Sequence, residues 1–122
     1  MQFVHEELTA KIIEACFEVS NELGAGFLES VYQNALKIAL RQKGLKVQAQ
    51  VPLMVEFRGE EVGQFFADIL VDDKVIVELK AASALAPEHQ AQVINYLKAS
   101  DLEVGLLVNF GKPRTEIKRL YK

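Results

Sequence analysis

Cysteine is almost missing from this chain: Cys16 is the only one among 122 residues. A single thiol excludes an internal disulfide and fits a reducing compartment. Long apolar runs are missing too, and none approaches the roughly 20 residues that a membrane-spanning helix needs. The first residues, Met1-Gln2-Phe3-Val4-His5-Glu6-Glu7, lack the basic start and apolar centre of a secretory signal. These absences create the expectation of a cytoplasmic protein. Positive charge is not in excess either, since 14 Lys and Arg against 17 Asp and Glu leave −3 at pH 7. That balance argues against general electrostatic capture of nucleic acid, although charge can be local. Cys16, His5, His89 and the methionines fall in no zinc-ligand spacing, and there is no phosphate-binding glycine loop and no nucleophile elbow.

What is there is enough apolar sequence for a core, at 50% of residues, and a length that suits one domain over 1–122. Leu8, Ile12, Ala15, Cys16, Val19 and Leu23 recur at three- and four-residue spacing, which predicts a helix over 6–22. Gly24-Ala25-Gly26 stops it, with Gly24 suited to a left-handed cap. A second helix is expected over 28–43, with Val31, Ala35, Ile38 and Ala39 inward and Gly44 ending it. The period then changes to two. Strands are expected over 47–57, bent or interrupted at Pro52 and so near a sheet edge, and over 62–71 and 75–81. Pro87 opens a third helix to about Ser100, with Val93, Ile94 and Leu97 inward. The apolar run 104–110 follows as a strand parallel to an earlier one, and 115–121 as a last strand. The predicted order is ααβββαββ, an α/β fold with a mixed central sheet flanked by helices.

Charge stands where that fold should be dry. Asp68 lies in Phe65-Phe66-Ala67-Asp68-Ile69-Leu70-Val71, and Glu78 and Lys80 lie in Val75-Ile76-Val77-Glu78-Leu79-Lys80. Strands this rich in β-branched and aromatic residues are usually covered on both faces. An isolated ion there costs several kcal/mol unless it is paired or binds a metal. Alternation puts Phe66, Asp68 and Leu70 on one face, and Ile76, Glu78 and Lys80 on one face. A three-residue turn at Asp72-Asp73-Lys74 would set Asp68 directly opposite Glu78. Two such carboxylates repel, and a divalent cation converts that repulsion into binding, with Mg²⁺ or Mn²⁺ suited to the oxygen donors. Lys80 could hold a water or a phosphate oxygen beside them. A Glu78–Lys80 surface pair on an exposed sheet face is the plainer alternative.

Other residues extend the pattern. Glu29 opens the second helix with Tyr32 one turn on, and Gln92 and Tyr96 stack four apart on the third. Each alone also fits an ordinary role: a first-turn glutamate favoured by the helix dipole, a core aromatic, an amphipathic boundary. His89 could reach the same region, or be a partly exposed helical histidine. Two basic clusters, Lys37, Arg41, Lys43, Lys46 and Lys112, Arg114, Lys118, Arg119, Lys122, fit solvated surface or a phosphate contact alike.

Gly26-x-x-Glu29-x-x-Tyr32 resembles the signature of the GxxExxY proteins, small members of the PD-(D/E)xK nuclease superfamily. The resemblance runs from the first helix through Gly105-Leu106-Leu107-Val108-Asn109-Phe110-Gly111. The ordered set of helix glutamate, aspartate strand, Glu-x-Lys strand and Gln-x-x-x-Tyr helix is similar to that of RecB-type nucleases. Ala67 stands where the superfamily has its namesake proline.

The resemblance implies a restriction-endonuclease-like core and metal-dependent hydrolysis of phosphodiester bonds in nucleic acid, DNA above RNA. It implies that Glu29, Asp68, Glu78 and the Leu79 carbonyl hold Mg²⁺ or Mn²⁺, and that Lys80 orients or activates water. Gln92 would contact phosphate or brace Lys80, and Tyr96 would support Gln92 and the substrate backbone. A chain this small implies a homodimer or a place in a larger complex. The alternative is a catalytically silent module of the same fold that binds nucleic acid or protein.

Overall fold

The structure, a computed structural model, describes residues 4–122; the first three residues of the stretch read above as lacking a secretory signal lie outside the described residues. The element order is that expected: α1 (Glu6–Leu23), α2 (Glu29–Gln42), β1 (Val47–Phe57), β2 (Glu60–Val71), β3 (Val75–Lys80), α3 (Pro87–Ser100), β4 (Val104–Asn109) and β5 (Glu116–Tyr121). The strands form one five-stranded sheet in the order β1-β2-β3-β4-β5. β3 and β4 run parallel, as a strand–helix–strand crossover through α3 requires, and the other pairs are antiparallel. This is a mixed sheet between helices, consistent with a restriction-endonuclease-like fold. No helix among the described residues is long and apolar enough to cross a membrane.

Helices cover both faces of the sheet. On one, Ile12, Cys16, Tyr32, Leu36 and Leu40 of α1 and α2 bury Val75, Val77, Leu79, Leu106 and Val108. On the other, Val93, Tyr96 and Leu97 of α3 pack on Leu53, Ala67, Ile76 and Leu107. Gly105 makes this second layer possible, because a Cβ there would stand 2.9 Å from Val93 Cγ1. β3 and β4 are therefore covered on both sides, and apart from Glu78, Lys80 and Asn109 their residues are apolar or glycine.

Three local expectations need correction. Gly24 does end α1, its amide donating to Ser20 O at 2.8 Å, but its φ of 71° comes with a ψ of −177°, so the chain leaves extended rather than in a left-handed cap. In α2 the fully buried stripe is Tyr32, Leu36 and Leu40, whereas Ile38 is 57% exposed and Val31, Ala35 and Ala39 are only partly covered. Tyr32 decides this rotation: its ring stacks on Phe110 with centroids 4.8 Å apart. In β1 the chain runs through Pro52, which pairs in register with Phe66. An edge strand tolerates proline because the missing N–H costs no ladder bond when that side faces outward. The irregularities fall instead at Gln50, with φ at 51°, and between Val55 and Glu56.

The Gln50 irregularity positions the site. Neither Gln50 nor Asp68, which the register would place opposite it, forms a ladder pair. Ala67 packs on the α3 side and Ile69 on the α1–α2 side, although they are two apart. Strict alternation would put both on one face. The pleat therefore slips at Asp68, and Phe66 does not share a face with Leu70 as alternation alone predicts. Beyond this point the β1–β2 hairpin continues past the end of β3, whose pairing with β2 covers only Ile69 to Val71.

Candidate active site

The Asp72-Asp73-Lys74 turn has the expected odd length. Val71 pairs with Val75, Lys74 N donates to Val71 O at 2.9 Å, and Asp72 and Asp73 take left-handed φ values of 52° and 57°. Carried two steps past Leu70–Ile76, that register sets Asp68 against Glu78. There the strands part, and carboxylates replace strand-to-strand bonds. Asp68 N donates to Glu78 Oε1 at 2.7 Å, and Leu79 N donates to Asp68 Oδ2 at 2.9 Å. Each carboxylate thus commits one oxygen to a backbone amide of the other strand.

Glu78 is 2% exposed. Burial first, then the Asp68 charge, pushes its carboxyl up to about 8, while Lys80 and the Asp68 amide pull the other way. A buried acid that shares its pocket with a second carboxylate resists ionisation until a cation compensates it. The donors that meet here are hard oxygens, which fit Mg²⁺ or Mn²⁺ better than soft metals.

Lys80 follows on the same face. Its Nζ donates to Gln92 Oε1 at 3.1 Å, and Gln92 Nε2 donates to Tyr96 OH at 3.1 Å. The i, i+4 spacing of Gln92 and Tyr96 on α3 makes this relay possible. Burial raises the Tyr96 phenol, and the charges of Glu78 and Asp68 add to it, so Tyr96 stands in the field of both carboxylates. His89, partly buried, accepts a bond at Nδ1 from Ala86 N at 3.0 Å, which ties down the start of α3.

Glu29 enters from the other layer. Gly26 (φ 111°) turns the chain into α2 in a conformation that favours glycine. The Tyr32 hydroxyl then pins the turn, donating to Gly24 O at 2.6 Å and accepting from Phe27 N at 3.2 Å. Gly26 and Tyr32 therefore build the corner on which Glu29 is presented. Partial burial and then the Asp68 charge raise the Glu29 carboxyl, and Lys80 and His89 lower it. Glu29 thus lies within electrostatic reach of the strand residues without joining them in one cluster. Among the described residues, no group of three or more His, Cys, Asp or Glu side chains is close enough to hold a metal ion.

Sequence reasoning missed Asn109, which is fully buried at the end of β4. Its Oδ1 accepts from Ala82 N at 3.0 Å and Gly111 N at 2.9 Å; its Nδ2 donates to Ala82 O at 3.0 Å and Glu116 Oε1 at 3.2 Å. This locks the loop that carries the chain from Lys80 to α3. Gly111 permits it, because a Cβ there would lie 2.2 Å from Ala82 O. The available signal was an amide at the end of the apolar run 104–110, where no solvent could satisfy it.

Carboxylates hold four of the nine cations in the two basic clusters. Lys43 is held by Glu14 and Glu18, Lys46 by Asp73, Lys112 by Glu116 and Lys122 by Asp101. Arg119 bonds the Thr9 hydroxyl and Val4 O.

Comparison with known proteins places this geometry in context. The family model described as PD-(D/E)XK nuclease superfamily matches residues 6–120. No curated protein matches the chain. Among solved structures, the crystal structure of SSO0001 is similar in fold, with a TM-score of 0.62 at 18% identity. The match covers 76% of this chain and 49% of that one, so the chain spans about half the length of that structure.

Proposed function

This chain belongs to the PD-(D/E)XK nuclease superfamily, and we propose that it is a metal-dependent nuclease hydrolysing phosphodiester bonds of nucleic acid, DNA in the first instance. The observation that carries the reading is the meeting of Asp68 and Glu78 where β2 and β3 part, beside a lysine held by Gln92. Asp68, Glu78 and the Leu79 carbonyl would hold Mg²⁺ or Mn²⁺, with Glu29 closing on the ion from α2. Once bound, the ion would polarise the phosphoryl group and neutralise charge in the transition state.

The chain's own residues supply the rest. Lys80 places an ammonium beside the carboxylates, where it orients the attacking water and steadies the phosphate oxygen. Gln92 fixes that ammonium by accepting its hydrogen bond, and Tyr96 fixes Gln92 in turn while keeping its own hydroxyl proton to donate to the substrate backbone. Assembly as a homodimer, or within a larger complex, would supply the recognition surface that a chain of this size lacks.

A catalytically silent binding module is the second reading, favoured by the lack of a three-ligand cluster among the described residues. Incubation with Mg²⁺ or Mn²⁺ and a panel of linear, nicked, branched and single-stranded DNA and RNA separates the two. Cleavage by the wild type that is lost in Glu78→Ala and Lys80→Ala is the expected result. Cleavage that survives both substitutions overturns the site assignment, and no cleavage of any substrate leaves the silent module.

A further inference from the structure

Two large aromatic rings stand half in water on the two strands of chain that bring the acids to the site. Phe27 is 48% exposed and lies two residues before Glu29; Phe66 is 49% exposed and lies two residues before Asp68. Neither position is a casual surface residue. The Phe27 ring rests edge-on against Tyr32, at 6.1 Å and 75°, and its amide is tied to the Tyr32 hydroxyl. The turn therefore holds this ring outward at the same corner that presents Glu29.

Phe66 sits where the pleat slips. Phe65 packs against Tyr96 and Ala67 joins the α3 core, so Phe66 between them is turned to the opposite, α2 side of the hairpin. On that side Gln50 Nε2 donates to Gln33 Oε1 of α2 at 3.2 Å, which brings the start of α2 to this part of the hairpin. Glu29, the first residue of α2, is in electrostatic reach of Asp68. Both rings thus lie on the α2 side, two residues along the chain from an acid of the site.

The charge distribution points the same way. Tracking a duplex needs a run of uncompensated cations along the phosphates. Here acidic residues outnumber basic ones, leaving −3 at pH 7, and carboxylates already hold four of the nine cations in the two basic clusters. Stacking on aromatic rings is the other way to hold nucleic acid; it needs bases out of the duplex and tolerates any sequence. We infer that Phe27 and Phe66 are base-stacking residues, and that the substrate enters this site with unpaired nucleotides, as a single strand, flap or loop. The inference rests on the nuclease reading and names the substrate class for that site.

The test measures binding by fluorescence anisotropy, and cleavage, of a labelled 20-nucleotide oligothymidine and of the same strand paired with oligoadenosine, both in Mg²⁺. Wild type is expected to prefer the single strand by about tenfold or more, and Phe27→Ala and Phe66→Ala each to weaken it about tenfold, in line with the worth of one stacked base. Phe57→Ala is the control: this ring is 59% exposed but lies at the hairpin tip beneath Arg58, and its loss should change neither substrate. Phe27→Leu and Phe66→Leu keep apolar bulk without a stacking face and should fall with the alanine variants. Leucine variants that bind like wild type overturn the inference, as does a duplex bound or cut as well as the single strand. Alanine variants that turn a dimer into a monomer in sedimentation, with affinity lost only in step, also overturn it and make the patch an interface between copies. If neither substrate is bound or cut, the nuclease reading itself fails.

Discussion

Replacing Glu78 with Gln isolates the energetic conflict at the centre of the site. The substitution keeps the shape and the oxygen that accepts from Asp68 N, and it removes the charge. Burial and the Asp68 charge push the Glu78 carboxyl up to about 8, from an ordinary value of 4.5. Between those values the folded state binds the proton at Glu78 and the unfolded state does not, so this group's contribution to wild-type stability falls as pH rises through the window and is level outside it. The slope is at most about 1.4 kcal/mol per pH unit. At pH 7 the accumulated loss is on the order of 3 kcal/mol at most, set by burial of Glu78 and the Asp68 charge beside it. The Gln variant does not titrate and escapes the loss. Urea unfolding in EDTA at pH 5, 6, 7 and 8 should therefore give nearly equal stabilities at pH 5 and a widening advantage for Glu78→Gln toward pH 8. Added Mg²⁺ should then stabilise the wild type most at pH 8 and leave the variant nearly unmoved, because binding requires the ionised carboxylate. A difference between the two proteins that stays constant with pH would refute the reasoning, and so would a wild type more stable than the variant at pH 8.

Tyr32→Phe keeps the stack on Phe110 but strands Gly24 O and Phe27 N, so a loss of about 1–3 kcal/mol in urea unfolding is expected, with the Phe110 contact intact. A variant as stable as wild type would mean that the hydroxyl does not hold the corner. Asn109→Ala leaves the Ala82 amide and carbonyl and the Gly111 amide without their partner, and should cost about 3 kcal/mol or more. Amide exchange at Ala82 should rise with it; protection as in wild type would show that the loop is held by something else.

Helix periods, the change to strand period at Val47, the punctuation by Gly44 and Pro87 and the odd-length turn at Asp72 are local signals, and the structure follows them almost to the residue. The charges in β2 and β3 were legible for the same reason: polar groups inside apolar strands are improbable unless something offsets their cost. Asn109 broke an apolar run in the same way and carried the same kind of message. The rotation of α2 was not legible, because Val31, Ala35, Ile38 and Ala39 make as good an apolar stripe as Tyr32, Leu36 and Leu40. Only the Phe110 ring, nearly eighty positions away, chooses between them.

By itself, then, the sequence determined the order of elements and which side chains could not lie in a dry sheet without compensation, since both follow from neighbours within a few positions. Tertiary structure alone decided how those side chains meet. The slip at Gln50 and Asp68 depends on two strands paired across the hairpin, and it turns Asp68 toward Glu78 while sending Phe66 to the other side. The link from Lys80 through Gln92 to Tyr96 depends on α3 lying across β3. Long-range packing sets both, and no local period encodes it.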